Sequence, residues 1–480
     1  MRCRLGFVAM LAAAILTGVS LVRTPAANSG GPGYSHLPIV SRDHLWATQV
    51  PAPTSTPTVT PTPAATGVSA SRVSPGFDHT CVLTSTGGVK CWGDNSYGQL
   101  GDGTTTGRFT PGDVTGLASG VSAVSSGANH TCVLTDLGGV KCWGSNFTGQ
   151  LGDGTTTDRH TPVDVIGLTS GVSAVSAGLF HTCAVTDLGG LKCWGQNSES
   201  GRGGRLGVGT TTDHHPTPVD VLGLSSGVAA VAAGHLHTCA LTALGGVKCW
   251  GENSQSQLGN GTTTDSSTSV DVIGLTSGVS AVSASSDHTC VLTDLGGLKC
   301  WGSNFIGQLG DGTATDRATP VDVTGLTSGV AAVSADADHT CALTNLGGLK
   351  CWGGNMSGQL GDGTTTNRYT PVDVTGLASS VVAMSAGRRE HMCAVTSTGG
   401  VKCWGGNSHG QIGDGTTTTR VTPVDVLGFG GGPVPVTGTP TPPACPTRAP
   451  GPTSTPGPSP TPMPLSFWLP LIHLEPCPYR

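Results

Sequence analysis

Charge and aromatic rings are both scarce in this chain. Asp, Glu, Lys and Arg together make up 11% of its 480 residues, and Phe, Trp and Tyr only 4%. Helical and α/β domains expose Lys and Glu faces and carry roughly a quarter of their residues as charges, so the composition argues against an ordinary α/β enzyme. There is no basic run or stripe, and the formal net charge is −6, so the electrostatic footprint that nucleic acid requires is missing. The spaced oxygen ligands of a calcium loop and the tight Cys-x-x-Cys knuckle of a zinc site are absent too. Beyond residue 22 no apolar run is long enough to span a bilayer.

Gly (76 residues), Thr, Ser and Val are plentiful, which suits many short strands joined by tight turns. The ends differ from the centre. Arg2 and Arg4 precede an uncharged, mostly apolar run, Leu5 to Val22, and small residues follow. Residues 1–27 therefore read as an export signal or, if uncleaved, as an N-terminal anchor. Residues 28–67 form a polar, Pro/Thr-rich linker, and 430–464 a second one rich in Pro, Thr and Gly. Such stretches bury no core and act as extended spacers, or as stalks holding the centre off a surface. A short apolar tail, 465–480, closes the chain and echoes His36–Arg42 in its Leu-Pro core. It reads as a sorting or docking peptide or as an unstructured end, and attachment to a membrane or cell wall through a terminus is an open expectation.

The body, 68–429, repeats. His-Thr-Cys recurs at His79, His130, His181, His237, His288 and His339, with His391-Met-Cys393 as a seventh copy, and Cys-Trp-Gly follows each. The period is 51 residues, stretched once by an insertion at Ser198–Arg205 and once near Arg388–Glu390. In the second copy, Val121–Ser125, His130–Thr135, Val140–Gly144 and Pro162–Val165 read as strands, and the Gly-rich Gly149–Thr157 as a structured loop. Four strands in about 50 residues is the size of a propeller blade. With Cys132 opposite Cys142, Leu134 meets Val140 and the turn falls on Asp136–Gly139. His130, Cys132, Leu134, Val140 and Cys142 then share one face, and Thr131, Val133, Lys141 and Trp143 the other. Apolar residues on both faces are expected of a sheet sandwiched between two others. The expected fold is all-β: a seven-bladed β-propeller of four-stranded blades flanked by the Pro/Thr-rich linkers.

The repeated H-T-C-x-L/V-T-x-x-G-G-x-K-C-W-G-x-N, followed in most copies by G-Q-L-G-D-G-T, resembles the repeat of the regulator of chromosome condensation family. The resemblance covers the whole body and implies a closed seven-bladed ring. Eukaryotic members usually carry Ala and an aromatic where this chain has its two cysteines. Some secreted members act by binding proteins, one being a β-lactamase inhibitor. Guanine-nucleotide exchange, which the family name implies, sits poorly with an export signal.

The cysteines are ten residues apart in every copy: Cys81 and Cys91, Cys132 and Cys142, Cys183 and Cys193, Cys239 and Cys249, Cys290 and Cys300, Cys341 and Cys351, Cys393 and Cys403. Opposite one another in a hairpin they come within disulfide reach, and an export signal places them where disulfides persist. Zinc on His-x-Cys plus the second Cys is the rival reading. The repeated His is expected to anchor a loop by hydrogen bonding. The seven lysines, one per copy beside the Trp, are expected to pack their stems with cation–π contact, and the Asp of Gly-Asp-Gly to cap a turn.

Positions that vary at equivalent places are the binding candidates: Tyr97, Phe147, Phe305, Met356 and His409 after Trp-Gly-x-Asn, Phe77, Phe180, His235, Asp287, Asp336, Asp338, Arg388, Arg389 and Glu390 before His-x-Cys, and Arg202 and Arg205 in the insertion. Arginines after Gly-Thr-Thr-Thr (Arg108, Arg159, Arg317, Arg368, Arg420) belong to the same class. No metal, no cofactor and no catalytic set is expected, because no paired carboxylates or Ser/His/Asp arrangement interrupts the repeat. The expectation is an extracellular or surface-displayed monomer engaging a protein or cell-surface ligand. A propeller hydrolase or lyase acting on polysaccharide or peptidoglycan is the alternative.

Overall fold

A computed structural model describes residues 68–199, 201–212 and 214–430. The segment expected to be an export signal or anchor, the first linker, the second linker beyond residue 430 and the apolar tail lie outside them. The described chain is all-β. Seven four-stranded antiparallel sheets follow one another in sequence, each built from one contiguous stretch, so the ring has seven blades. In the second blade the strands are Val121–Ser126, His130–Thr135, Val140–Gly144 and Arg159–Asp164. The first strands stand side by side around the axis and the fourth lie outermost.

The hairpin register agrees with the sequence reading: Cys132 faces Cys142 and Leu134 faces Val140. The fourth strand starts earlier than expected, at Arg159, with Pro162 inside it. A proline is tolerated there because the outermost strand has no further neighbour needing its N–H. All seven cysteine pairs are bonded within their hairpins, with Cα atoms 4.0–4.1 Å apart. Each closes a short loop worth roughly 2–3 kcal/mol in the chain-entropy picture.

Blades pack face to face. The Cys132, Leu134, Val140 and Cys142 face of the second blade meets Ala184 and Trp194 of the third, and the same division of faces recurs around the ring. Every blade tryptophan is fully buried, and its indole N–H donates across the junction to a backbone carbonyl of the preceding blade: Trp143 to Gln99, Trp194 to Gln150, Trp301 to Gln257. The Gly-Gln-Leu-Gly segment is thereby explained. A Cβ on Gly152 would come within 2.7 Å of the Trp194 indole nitrogen, and its φ is +71°, so only glycine lets the loop lie on the ring.

The repeated histidine does more than anchor a loop. Its Nε2 meets the threonine of the next blade's His-Thr-Cys at 2.8–3.0 Å: His79 with Thr131, His130 with Thr182, His181 with Thr238, His237 with Thr289, His288 with Thr340, and His391 with Thr80. That hydroxyl donates onward to the carbonyl the indole uses, as Thr182 does to Gln150. With the hydroxyl proton spent, Nε2 must be the donor and Nδ1 carries the lone pair. The last of these contacts closes the ring, helped by a pairing of Val68 with Phe429.

The lysines correct a second expectation. Each pairs with the aspartate opposite it on the fourth strand, as Lys141 with Asp164 at 2.5 Å and Lys299 with Asp322 at 2.6 Å. Exposed pairs of this kind contribute little to stability.

Candidate functional site

Strand order fixes two ends of the ring. Loops joining first to second strands and third to fourth strands emerge at one end, and second-to-third turns and the connections between blades at the other. All three classes of variable residue thus gather at the first end, which we term the loop end.

Several of these residues belong to the scaffold. The Gly-Asp-Gly aspartate caps its turn as expected: Asp153 Oδ1 accepts from the Thr155 N–H and hydroxyl and from Asn146. Its other oxygen takes the arginine after Gly-Thr-Thr-Thr, Arg159 at 2.7 Å, and the same pair recurs at Arg317, Arg368 and Arg420. Those arginines are committed to their own loops. Arg205 is 1% exposed and occupies the slot of the motif's glutamine, its carbonyl receiving Thr238 and the Trp250 indole. It is therefore not an outward-reaching arginine. The rest of the insertion forms a two-stranded ribbon, Ser198–Glu199 with Arg202–Gly203, tied by the Gly203 N–H to Asp265. Arg202 is exposed.

Tyr97, Phe147, Phe305 and Met356 are exposed at 42%, 55%, 62% and 85%, unusual for large apolar side chains. Phe147 meets the partly buried Phe180 edge to face at 5.1 Å, joining the second and third blades. His409 and Arg389 both approach Asp78, at 3.5 Å.

Arg388 leaves the surface and reaches into the mouth of the central channel. Its guanidinium donates to the carbonyls of Ser126, Ala177 and Ala233, one on each of three blades. Burial lowers its pKa to about 10. Beside it Phe77 and His235 meet ring to ring at 5.4 Å. Together these side chains cork the channel above a cavity of about 70 Å³ lined largely by serines of the first strands.

The sequence names the acids of this rim one copy at a time, and the ring sets them side by side. The residue before each motif histidine is acidic in blades 5, 6, 7 and 1 (Asp287, Asp338, Glu390, Asp78) and Asn129, Phe180 and Leu236 in blades 2 to 4. The acids feel one another. Burial raises the Asp287 carboxyl to about 6, with Glu252 and Asp338 adding to the rise, and burial and Glu390 raise Asp338. Asp336, at the same mouth, is 3% exposed and raised well above the usual range by burial. Its Oδ2 stands 3.5 Å from His339 Nδ1 and lacks a hydrogen-bond partner among the described residues. Asp336 sits where five other copies have glycine.

Tandem blades of this motif, closed by Trp–carbonyl contacts, define a repeat propeller, and the chain belongs to the regulator of chromosome condensation family. A model for the RCC1-like domain matches residues 167–436, and the RCC1 repeat matches 70–99 and 121–150 as well as 86–134 and 138–185. The ultraviolet-B receptor UVR8 of Arabidopsis thaliana is 33% identical over 65% of this chain and 71% of the receptor. The probable E3 ubiquitin-protein ligase HERC4 of Rattus norvegicus is 35% identical over 70% of this chain, which spans 32% of that ligase. Prp20p of Saccharomyces cerevisiae shares the fold, with TM-score 0.62, 22% identity, and coverage of 75% of this chain and 87% of that one.

Proposed function

We propose that the chain is a non-catalytic binding module, working outside the cytoplasm, that holds a protein ligand against its loop end. One observation carries the reading. Burial raises the carboxyls of Asp287 and Asp338, the neighbouring carboxylates Glu252 and Glu390 add to the rise, and the same rim exposes Phe147, Phe305 and Met356. Like charges held together stabilise an incoming cation, and exposed aromatics and Met are the side chains enriched in interface cores. The ligand this rim fits is a protein segment carrying Lys or Arg beside apolar side chains. Similarity to a receptor, and to a ligase that is much longer than this chain, supports binding over chemistry. Seven disulfides support an oxidising compartment.

Peptide display against the full chain tests this. Enriched sequences should combine basic with apolar residues, and D287N/D338N/E390Q should weaken the best of them at least tenfold and flatten its salt dependence. Enrichment of acidic or neutral peptides, or affinity unchanged by the triple variant, overturns the site. Turnover of a glycan or peptide panel by the purified chain overturns the non-catalytic reading.

A further inference from the structure

Arg72 departs from the repeat at a position where the other six copies agree. It stands on the first strand of blade 1, opposite Leu83. The same register position holds Ala123, Ala174, Ala230, Ala281, Ala332 and Ala383 in the other blades. Burial lowers the pKa of its guanidinium, and no carboxylate comes near enough to offset the fall. It has neither an ion pair nor a hydrogen bond among the described residues. A partly buried charge without a partner is costly. Neither strand pairing nor blade packing requires one there, because alanine satisfies both in six blades.

The side chain lines an open cavity of about 730 Å³ at the end opposite the loops. First strands of blades 7, 1 and 2 and the second-to-third-strand turns of blades 1 and 2 enclose it. That volume lies within the range of small-molecule sites. Its apolar wall is Val382, Ala383, Leu83 and Val121. Val382 is itself a departure: it is 54% exposed, and the other blades hold Ser or Ala in its place. Asp136 also lines the cavity, and its carboxylate pairs neither with Arg72 nor with any other cation among the described residues. One cavity therefore holds an unpaired cation, an unpaired anion and an apolar wall. A phosphate or other dianion would suit Arg72 and be repelled by Asp136. A carboxylate joined to an ammonium satisfies both, since guanidinium grips carboxylate through two parallel hydrogen bonds and Asp136 can take the ammonium.

We infer that this cavity is a second binding site, taking a zwitterionic ligand with an apolar side chain: an amino acid or a short peptide with both ends free. The carboxylate lies on Arg72, the ammonium on Asp136 and the side chain against Val382 and Ala383. None of these residues belongs to the loop end, so the site is independent of the protein-binding rim.

Calorimetric titration of the full chain with L-leucine and with the dipeptide Leu-Leu tests the site and separates the two ligand sizes. Saturable heat is expected from at least one of them. Amidation of its carboxylate, or the variant R72A, should weaken binding roughly tenfold or more, the scale of a lost charge-assisted pair. Acetylation of its amine, or D136A, should weaken it about two- to fivefold, because that carboxylate is exposed. Both substitutions install residues that other blades hold at these positions, Ala123 and Ala243, and R72A should keep the wild-type urea midpoint. No saturable heat from either compound at about 10 mM, well above the dissociation constant of a millimolar site, overturns the inference. So does affinity unchanged by R72A, or inorganic phosphate binding more tightly than both compounds. D287N/D338N/E390Q should leave these affinities unchanged; their loss in that variant would put the compounds at the loop end and overturn a site at the turns.

Discussion

The junction between blades 2 and 3 and the junction between blades 6 and 7 have the same packing and different polar chemistry. At the first, His130 Nε2, the Thr182 hydroxyl, the Gln150 carbonyl and the Trp194 indole form an unbroken relay. At the second, Met392 replaces the threonine, and neither nitrogen of His339 has a hydrogen-bond partner among the described residues. The indole of Trp404 still reaches the Gln359 carbonyl at 2.9 Å, and Met392 is fully buried against the same core. Interlocking apolar faces therefore hold a junction, and the relay adds register to it. Departures elsewhere in the repeat are scattered, yet Asp336, Met392 and the extra residues around Arg388 all fall at this one junction.

The largest expected effect is acid sensitivity, which both junctions share through buried imidazoles and which Asp336 opposes at the second alone. The motif imidazoles are buried and neutral: burial lowers His130, His237, His288 and His391 to about 3, and His79 and His339 to about 4. Their folded pKa values lie below the unfolded value near 6.5. The stability they confer is whole above that pH and declines as pH falls toward 4, by about 1.4 kcal/mol per unit for each group. Asp336 has the opposite sign, because its carboxyl is raised; its contribution is lost as pH rises above the usual carboxylate range. Urea midpoints should therefore collapse between pH 6.5 and 4, and D336N should raise stability at pH 7. A midpoint that stays flat over that interval means the imidazoles are not held neutral.

Next in size is the loss of an interlocking tryptophan. W194A and W404A should each cost about 3–5 kcal/mol in chemical denaturation, by removing a fully buried ring from a shared core. Equal losses fit the view that both junctions are packed alike. A much smaller loss for W404A would make the odd junction loose throughout.

What the sequence disclosed follows from the same contrast. Hairpin register was legible because cysteines ten apart, with Gly-Gly between them, admit one antiparallel alignment. Sandwiched sheets were legible because apolar residues fall on both alternations of a strand. The partner of each histidine was not, since Thr182 lies 52 residues from His130 and only ring closure brings them together. Lys141 was assigned to the Trp143 ring because the register between the third and fourth strands, which sets Asp164 opposite it, is not fixed by the sequence. Exposed aromatics could be listed as candidates by their variability. Arg205 defeated that logic, because the insertion shifts it into the glutamine slot without changing its look as a loop residue. The acidic rim was readable one copy at a time and invisible as a rim, since its order is set by the ring.

The smallest effect gives the cleanest comparison. A double-mutant cycle between His130 and Thr182 (H130A, T182V and both) isolates the hydrogen bond from the packing changes each variant causes alone. The coupling energy should be about 1–2 kcal/mol, the scale of a buried bond whose loss strands a donor. The equivalent cycle between His339 and Met392 (H339A, M392V and both) should give less than about 0.5 kcal/mol, because a thioether makes a poor acceptor. Equal couplings would mean that the relay contributes no more than contact does, and that the threonine in six of the seven copies is there for its size alone.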